Sequence, residues 1–101
     1  MGFTDAKRTV VAALRSGNYE HEPRDVLAEK NLLAVGEVTE DEVIRVLNRA
    51  TGKDYSSSPH HWDDSAEVHT FRPRVDKVTW YVKAYVVDEG SNRVVFISVH
   101  K

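Results

Sequence analysis

Four side chains in the C-terminal third of the sequence are of the types that cleave RNA without a metal ion: His69, Arg72, Tyr81 and His100. Such cleavage needs a base that removes the proton of the 2′-hydroxyl, a cation that stabilises charge on the phosphate, and an acid that protonates the leaving 5′-oxygen. We predict that His69 and His100 form the base–acid pair and that Arg72 binds the phosphate. Tyr81 is predicted to orient or protonate the substrate.

Further side chains of the same region suit RNA binding. Cations contact phosphates, aromatic rings stack on bases, and imidazoles move protons near neutral pH. Residues 65–101 contain six Lys or Arg against four Asp or Glu, whereas residues 1–50 contain seven against nine. Because the formal net charge is −2, RNA binding requires a local patch rather than an overall basic charge. The residues predicted to contact RNA are Arg74, Lys77, Lys83, His60, His61 and Lys101.

Three helices are predicted in the N-terminal half. The first covers Thr4–Ser16, with Thr4 as its N-cap and Gly17 in the left-handed position after it. The second begins near Glu22. The third covers 40–50, because a Thr-Glu-Asp-Glu capping box precedes apolar residues at helical spacing.

The C-terminal half changes to a period of two. Residues 53–65 are predicted to be a polar loop. Strands are predicted from 66 to Pro73, over 77–87 and over 93–100, with a hairpin turn between the last two. Helices followed by hairpin-linked strands predict an α+β fold, in which the N-terminal helices pack on one face of an antiparallel sheet.

Strand alternation assigns side chains to the two faces of this sheet. In the middle strand, Tyr81, Lys83 and Tyr85 lie opposite an apolar set that packs against the helices: Val78, Trp80, Val82, Ala84 and Val86. The last strand alternates Val95, Ile97 and Val99 with a second set: Val94, Phe96, Ser98 and His100. A face with Tyr, Lys, Arg and His suits RNA, and it is also what an ordinary solvated face of an antiparallel sheet looks like.

Length and composition exclude several classes of protein. The 101 residues correspond to one domain, 1–101. The absence of cysteine excludes disulfides, thiolate zinc sites and cysteine nucleophiles. No apolar run approaches the roughly 20 residues of a membrane span, and no basic-then-apolar leader begins the chain, so no membrane partner and a cytoplasmic location are expected.

The loop His-His-Trp-Asp-Asp at 60–64 offers an alternative metal site. Adjacent histidines seldom reach the same ion, and no helical pairing of ligands accompanies them. We therefore predict no metal and no cofactor, and we assign His60 and His61 to the RNA groove.

The tract from Phe71 onward resembles the C-terminal half of the MqsR-type toxins. That family has a Tyr-Arg-Pro-Arg segment, a Tyr-Leu-Lys strand and a final strand ending in Ser-Phe-Lys. The corresponding segments here are Phe71-Arg72-Pro73-Arg74, Tyr81-Val82-Lys83 and Ser98-Val99-His100. The N-terminal half is similar only in its order of helices and in Tyr55-Ser56-Ser57, where the family often has Tyr-Lys-Ser.

The resemblance implies a RelE-like fold and a ribosome-independent mRNA endonuclease that inhibits translation and is held inactive by a co-encoded antitoxin protein. Tyr81 matches the family's catalytic tyrosine, and His100 stands where the family has a catalytic lysine. Ser56 and Val68 stand where a functional lysine and glutamine are expected. Two alternatives stay open: a RelE-like toxin with a target other than RNA, and a noncatalytic domain that docks a protein on the same face.

Overall fold

The computed structural model describes residues 2–22, 31–59, 66–88 and 93–101. These residues form an α+β fold with two α-helices and a mixed five-stranded sheet. The helices are α1 (Phe3–Ser16) and α2 (Glu40–Arg49), and a 3-10 turn covers Gly52–Asp54. The strands are β1 (Tyr19–His21), β2 (Tyr55–Pro59), β3 (Glu67–Phe71), β4 (Arg74–Val75), β5 (Val78–Thr79), β6 (Tyr81–Asp88) and β7 (Arg93–His100).

The helix ends agree with the sequence prediction at α2 and partly at α1. The backbone nitrogen of Glu42 donates to Thr39 Oγ1 at 3.2 Å, and the backbone nitrogen of Thr39 donates to Glu42 Oε1 at 3.2 Å, so the capping box is confirmed. Gly17 ends α1 with φ 76°, as expected of a left-handed C-cap. The prediction of Thr4 as N-cap is wrong, because α1 begins one residue earlier and Gly2 is its cap.

The predicted second helix falls mostly outside the described residues. Of its predicted span, residues 23–30 are not described, and residues 32–36 form turns. The backbone nitrogen of Leu32 donates to Val99 O at 2.7 Å, which attaches this segment to the end of β7.

The five-stranded sheet has the order β1-β7-β6-β3-β2. All its neighbours are antiparallel except β1 and β7, which are parallel. The prediction of a purely antiparallel sheet is therefore wrong, because the short segment after α1 adds a parallel edge strand. The prediction of a loop over 53–65 is wrong at Tyr55–Pro59, which pairs with β3 as the other edge.

A small separate hairpin interrupts the strand predicted over 77–87. Strands β4 and β5 pair with each other and not with the main sheet, and Trp80 N donates to Pro73 O at 2.8 Å where the chain returns. Asp76 and Lys77 form its two-residue turn with φ 52° and 68°, the geometry of a type I′ turn. The long strand β6 therefore begins only at Tyr81.

A bulge in β7 sets the faces of the sheet. Lys83 pairs with Ser98 and Ala84 pairs with Phe96, so Ile97 is an extra residue opposite β6. The prediction that Val94 and Phe96 share a face with Ser98 and His100 is therefore wrong. Val94 and Phe96 lie in the core with Val99, as the alternation resumes on the other side of the bulge.

The core is one cluster of buried apolar side chains from both helices and from β3, β6 and β7. Its largest fully buried members include Leu14 of α1, Leu47 of α2, and Phe71 and Phe96 of the sheet. Each contributes about 1.5–3 kcal/mol on leaving water. None of the described helices is long and apolar enough to cross a membrane.

Candidate functional site

The sheet face opposite the core carries the polar side chains of interest. We call it the polar face. Cross-strand partners share a face. The pairs Tyr81–His100, Lys83–Ser98, Thr70–Lys83 and Ser56–Thr70 therefore define it. The polar residues of this face are Ser56, Ser58, Thr70, Tyr81, Lys83, Tyr85, Ser98 and His100. The partners of Tyr85, Val68 and Val95, lie on the same face and are buried.

The centre of the polar face is a stack of Tyr81 on His100. Their ring centroids are 4.8 Å apart and the ring planes differ by 17°. Both side chains are half-buried, so the stack fixes the imidazole while solvent still reaches it. The Nδ1 atom of His100 lies 3.4 Å from the carbonyl oxygen of Lys101. Because a carbonyl only accepts, a hydrogen bond there requires a proton on Nδ1, which leaves Nε2 as the basic nitrogen.

Arg72 lies beside the Tyr81–His100 stack, at the end of the neighbouring strand β3. Its backbone nitrogen donates to Asp54 O at 2.9 Å, so the β2–β3 ladder extends to this residue. Phe71 pairs with Val82 across β3 and β6. Continuing this register by one residue places Arg72 opposite Tyr81. Arg72 is exposed. An arginine, a tyrosine and a histidine therefore follow one another across the end of the sheet.

The next row of the polar face holds Lys83 among small hydroxyl residues. Lys83 pairs with Ser98 on one side and with Thr70 on the other, and Ser56 lies beyond Thr70. Thr70 and Ser98 are buried, whereas Lys83 is half-buried. Its ammonium group is thus flanked by short side chains that leave it accessible beside the Tyr81–His100 stack.

His69 lies on the other face, and the predicted His69–His100 pair is not formed. His69 pairs with Ala84, a core residue, and its side chain is 2% exposed. The Tyr55 hydroxyl lies 2.7 Å from His69 Nδ1, and Glu67 Oε1 lies 3.5 Å from Nε2. The sheet therefore separates the two imidazoles that were predicted to act together.

Arg74 and Lys77 lie on the hairpin of β4 and β5 rather than on the polar face. Arg74 pairs with Thr79, and Lys77 is the second residue of the tight turn. Both are exposed. The hairpin leaves the sheet between Arg72 and Tyr81, so these two cations extend beyond the end of the Arg72–Tyr81–His100 row.

The remaining predicted RNA contacts have different outcomes. The Nζ atom of Lys101 lies 5.1 Å from the centroid of the Trp80 ring, a cation–π contact. Trp80 is in the core cluster, so Lys101 turns away from the polar face. His60 and His61 lie outside the described residues. Within the described ranges, no three His, Asp or Glu side chains converge as metal ligands.

Sequence reasoning missed Ser56 and Thr70 as members of the polar face. Thr70 is two residues before Arg72, so the strand period puts them on one face, whereas His69 is three residues before Arg72 and cannot share it. That spacing was a usable signal. The strand period gave no signal for Ser56, because Tyr-Ser-Ser-Ser-Pro shows no apolar alternation; only the resemblance, which aligns Ser56 with a functional lysine, pointed to it.

No protein-family model matches the chain, and no curated protein matches it significantly. The resemblance to the MqsR-type toxins therefore rests on the segments quoted from the sequence.

Proposed function

We propose that the polar face binds single-stranded RNA and cleaves it without a metal ion. The observation that supports this most is the Arg72–Tyr81–His100 row with Lys83 beside it. It combines a fixed imidazole, an aromatic ring and two cations on one accessible surface. These are the groups that metal-independent phosphodiester cleavage requires.

In the proposed reaction, Nε2 of His100 removes the proton of the 2′-hydroxyl as the 2′-oxygen attacks phosphorus. The bond from phosphorus to the 5′-oxygen breaks, and the Tyr81 hydroxyl gives its proton to that oxygen. The products are a 2′,3′-cyclic phosphate and a 5′-hydroxyl end. The proton that His100 has taken is released to water, and water supplies one proton to the Tyr81 oxygen, so both groups are restored. His69 takes no part, because it lies on the core face.

Arg72 and Lys83 supply the charge stabilisation. A guanidinium presents donors to two phosphate oxygens at once, whereas an ammonium acts as a compact point charge. We assign Arg72 to the scissile phosphate, in the row of the acid and base, and Lys83 to a neighbouring phosphate. The hairpin cations Arg74 and Lys77 bind RNA beyond this row.

We propose further that the chain is a toxin with a RelE-like fold, inhibited by an antitoxin protein. The resemblance of segments 71–74, 81–83 and 98–100 to the MqsR-type toxins supports this. The α+β architecture and the shared core of helices and sheet agree with such a fold. Inhibition of translation would follow from cutting mRNA.

The test is cleavage of a long RNA in EDTA by purified wild type, Tyr81→Phe and His100→Ala. Primer extension maps the ends, and chemical analysis identifies cyclic phosphate. We expect discrete cuts by the wild type and a loss of at least about 10²-fold in His100→Ala, the usual contribution of a general acid or base. Tyr81→Phe keeps the ring stack and removes the proton donor, so its loss reports on the hydroxyl alone.

A matched pair of lysine variants controls for RNA binding. Lys83→Ala should weaken binding of a noncleavable 2′-deoxy analogue, whereas Lys77→Ala removes the same charge from the hairpin turn and should change it less. Absence of cuts by the wild type, with the RNA analogue still bound, would overturn the proposed cleavage and leave RNA binding alone. Absence of both cleavage and binding would leave the two alternatives, a toxin with a target other than RNA and a noncatalytic docking domain.

A further inference from the structure

A second cationic surface lies on α1, away from the polar face. One side of α1 is buried in the core through Ala6, Val10 and Leu14. The neighbouring side forms a groove of about 330 Å³ with the end of α2. The groove is lined by Thr4, Lys7, Arg8, Val11, Ala12, Arg15 and Asn48, none of which belongs to the polar face.

The groove has an aliphatic floor and cationic walls. Val11 and Ala12 form the floor, and Val11 is only 7% exposed. All three cations of α1 line the groove, and none of its described lining residues is acidic. The groove is therefore locally positive, although the formal net charge of the chain is −2. An acidic ligand is therefore the electrostatic complement of the groove.

The two arginines of the groove differ from its lysine in how they are held. Lys7 Nζ donates to the carbonyl oxygens of Asn48 and Ala50 at 3.3 and 3.4 Å, so it joins α1 to the end of α2. Arg8 lies 3.6 Å from Asp5, but both side chains are largely exposed, and such a pair is weak and exchanges readily. Arg15 has no ion-pair partner in the part of the chain that the structure describes.

The lining residues follow the spacing of one helical face. Thr4, Arg8, Val11 and Arg15 are three or four positions apart. Eleven residues separate the first from the last, a rise of about 16 Å or three helical turns. The small side chains of Thr4 and Ala12 permit close approach of another backbone. This is the shape in which an amphipathic helix docks, with apolar residues inward and charges at the rim.

We propose that this groove docks an acidic amphipathic helix of a partner protein. Its apolar residues cover Val11 and Ala12, and its carboxylates pair with Arg8 and Arg15. The docking site is separate from the proposed nuclease site, so its occupation and RNA cleavage can be tested independently.

The probe is a fluorescein-labelled peptide of 15 residues with Leu and Ala at alternating spacings of three and four and Glu elsewhere. Fluorescence anisotropy against the full chain measures its affinity, and a peptide with Lys in place of Glu is the charge-reversed control. We expect the acidic peptide to bind and the basic one not to bind. Binding should weaken with added salt, since screening is strong beyond about 10 Å at 0.1 M.

Two variants of the groove and one matched control locate the binding. Arg8→Gln with Arg15→Gln should raise the Kd at least about fivefold, because two ion pairs are lost. Ala12→Glu should abolish binding by adding bulk and negative charge to the floor. Arg45→Gln with Arg49→Gln makes the same charge change on α2 outside the groove and should leave the Kd unchanged. Amide signals of α1 should shift in the NMR spectrum of the wild type with peptide.

Three results would overturn the proposal. The first is absence of acidic-peptide binding at low salt, and the second is equal weakening by the groove and control variants. The third is that another ligand occupies the groove. That would appear as RNA binding that depends on Arg8 and Arg15, or as self-association in light scattering that the groove variants abolish.

Discussion

Two tyrosine–histidine pairs stack on opposite faces of the same sheet. The planes differ by 17° in each pair, and the ring centroids are 4.8 Å apart for Tyr81–His100 and 5.8 Å apart for Tyr55–His69. The first pair lies directly across β6 and β7, and the second lies diagonally across β2 and β3. Similar ring geometry thus occurs in two different surroundings.

The surroundings of the two histidines differ in burial and in hydrogen bonding. His69 is 2% exposed, and both of its ring nitrogens have protein partners, Tyr55 and Glu67. Burial raises the pKa of Tyr55, a hydrogen bond with Ser57 lowers it, and the charge of Glu67 raises it again. The net rise keeps the hydroxyl protonated, so it can donate to Nδ1 of His69.

His100 is half-buried, and its Nε2 atom has no hydrogen-bond partner among the described residues. Stacking on a tyrosine therefore says little about what a histidine does. What distinguishes a histidine that can exchange a proton with substrate is a ring nitrogen left open to solvent. By that criterion His69 is a structural residue, and the proposed function therefore assigns proton transfer to His100.

The largest effect that separates the two pairs is expected for His69→Ala. The substitution removes a buried ring and leaves the Tyr55 hydroxyl without its acceptor, so it should cost about 2–4 kcal/mol of unfolding free energy. Urea denaturation measures this. At a temperature where the variant is folded, the loss of RNA cleavage should stay far below the ~10²-fold expected for a general acid or base.

A 10²-fold loss of cleavage by folded His69→Ala would break the comparison. It would mean that the buried imidazole takes part in the chemistry despite its position. His69→Gln controls for cavity formation, because it keeps most of the side-chain volume and a polar atom for Tyr55.

The same substitution in both pairs sharpens the comparison at a smaller scale. Tyr55→Phe should destabilise the fold by about 1 kcal/mol, because the hydrogen bond to His69 is lost and Nδ1 stays buried. Tyr81→Phe should change the stability by less than about 0.5 kcal/mol, since its hydroxyl is on the polar face. Urea midpoints of the two variants measure the difference, and equal midpoints would contradict it.

A third tyrosine–histidine pair, Tyr19 and His21, lies on β1. Its expected effect on the free energy of unfolding is the smallest of the three and depends on pH. Their rings meet edge-on with centroids 5.6 Å apart, and Asn31 Nδ2 lies 3.0 Å from His21 Nδ1. Burial lowers the pKa of His21, so the folded protein binds this proton less readily than the unfolded chain does. Stabilisation by His21 is complete above the unfolded pKa of about 6.5 and is lost as pH falls toward the lower folded value.

Urea unfolding at pH 7.5 and 5.5 tests this sign. The loss of stability on acidification should be smaller in His21→Gln, which cannot be protonated and still offers Asn31 an acceptor. A variant with the same loss as the wild type would show that His21 does not contribute to the acid sensitivity.

The sequence predicted those parts of the fold in which one face is apolar and the other polar. The capping box of α2 and the alternation from Trp80 to Tyr85 are such patterns, and both are confirmed. The edge strand β2 was not predictable, because three consecutive serines show no alternation of apolar and polar residues. The segment Val68–Phe71 is buried on both faces, so its apolar alternation does not place His69, and only the odd spacing between His69 and Arg72 indicates that they lie on opposite faces.

The site was predictable where the pairing of strands is regular. Tyr81, Lys83 and His100 lie on one face as expected, and the stack of Tyr81 on His100 follows from their direct pairing. The hairpin around Asp76 and Lys77 was not predicted, since neither residue is the glycine that a type I′ turn favours. Because of this hairpin, Arg74 and Lys77 lie outside the site.

The bulge at Ile97 determines which face of the sheet the side chains of the last residues occupy. Between Phe96 and Val99 the number of residues is even, so strict alternation would put these two side chains on opposite faces. Both lie in the core because Ile97 has no partner on β6, which shifts the alternation by one residue. A change that straightened the strand without removing a residue would exchange Val99 and His100. The imidazole would then point inward and a valine outward, with every residue of the proposed site still present.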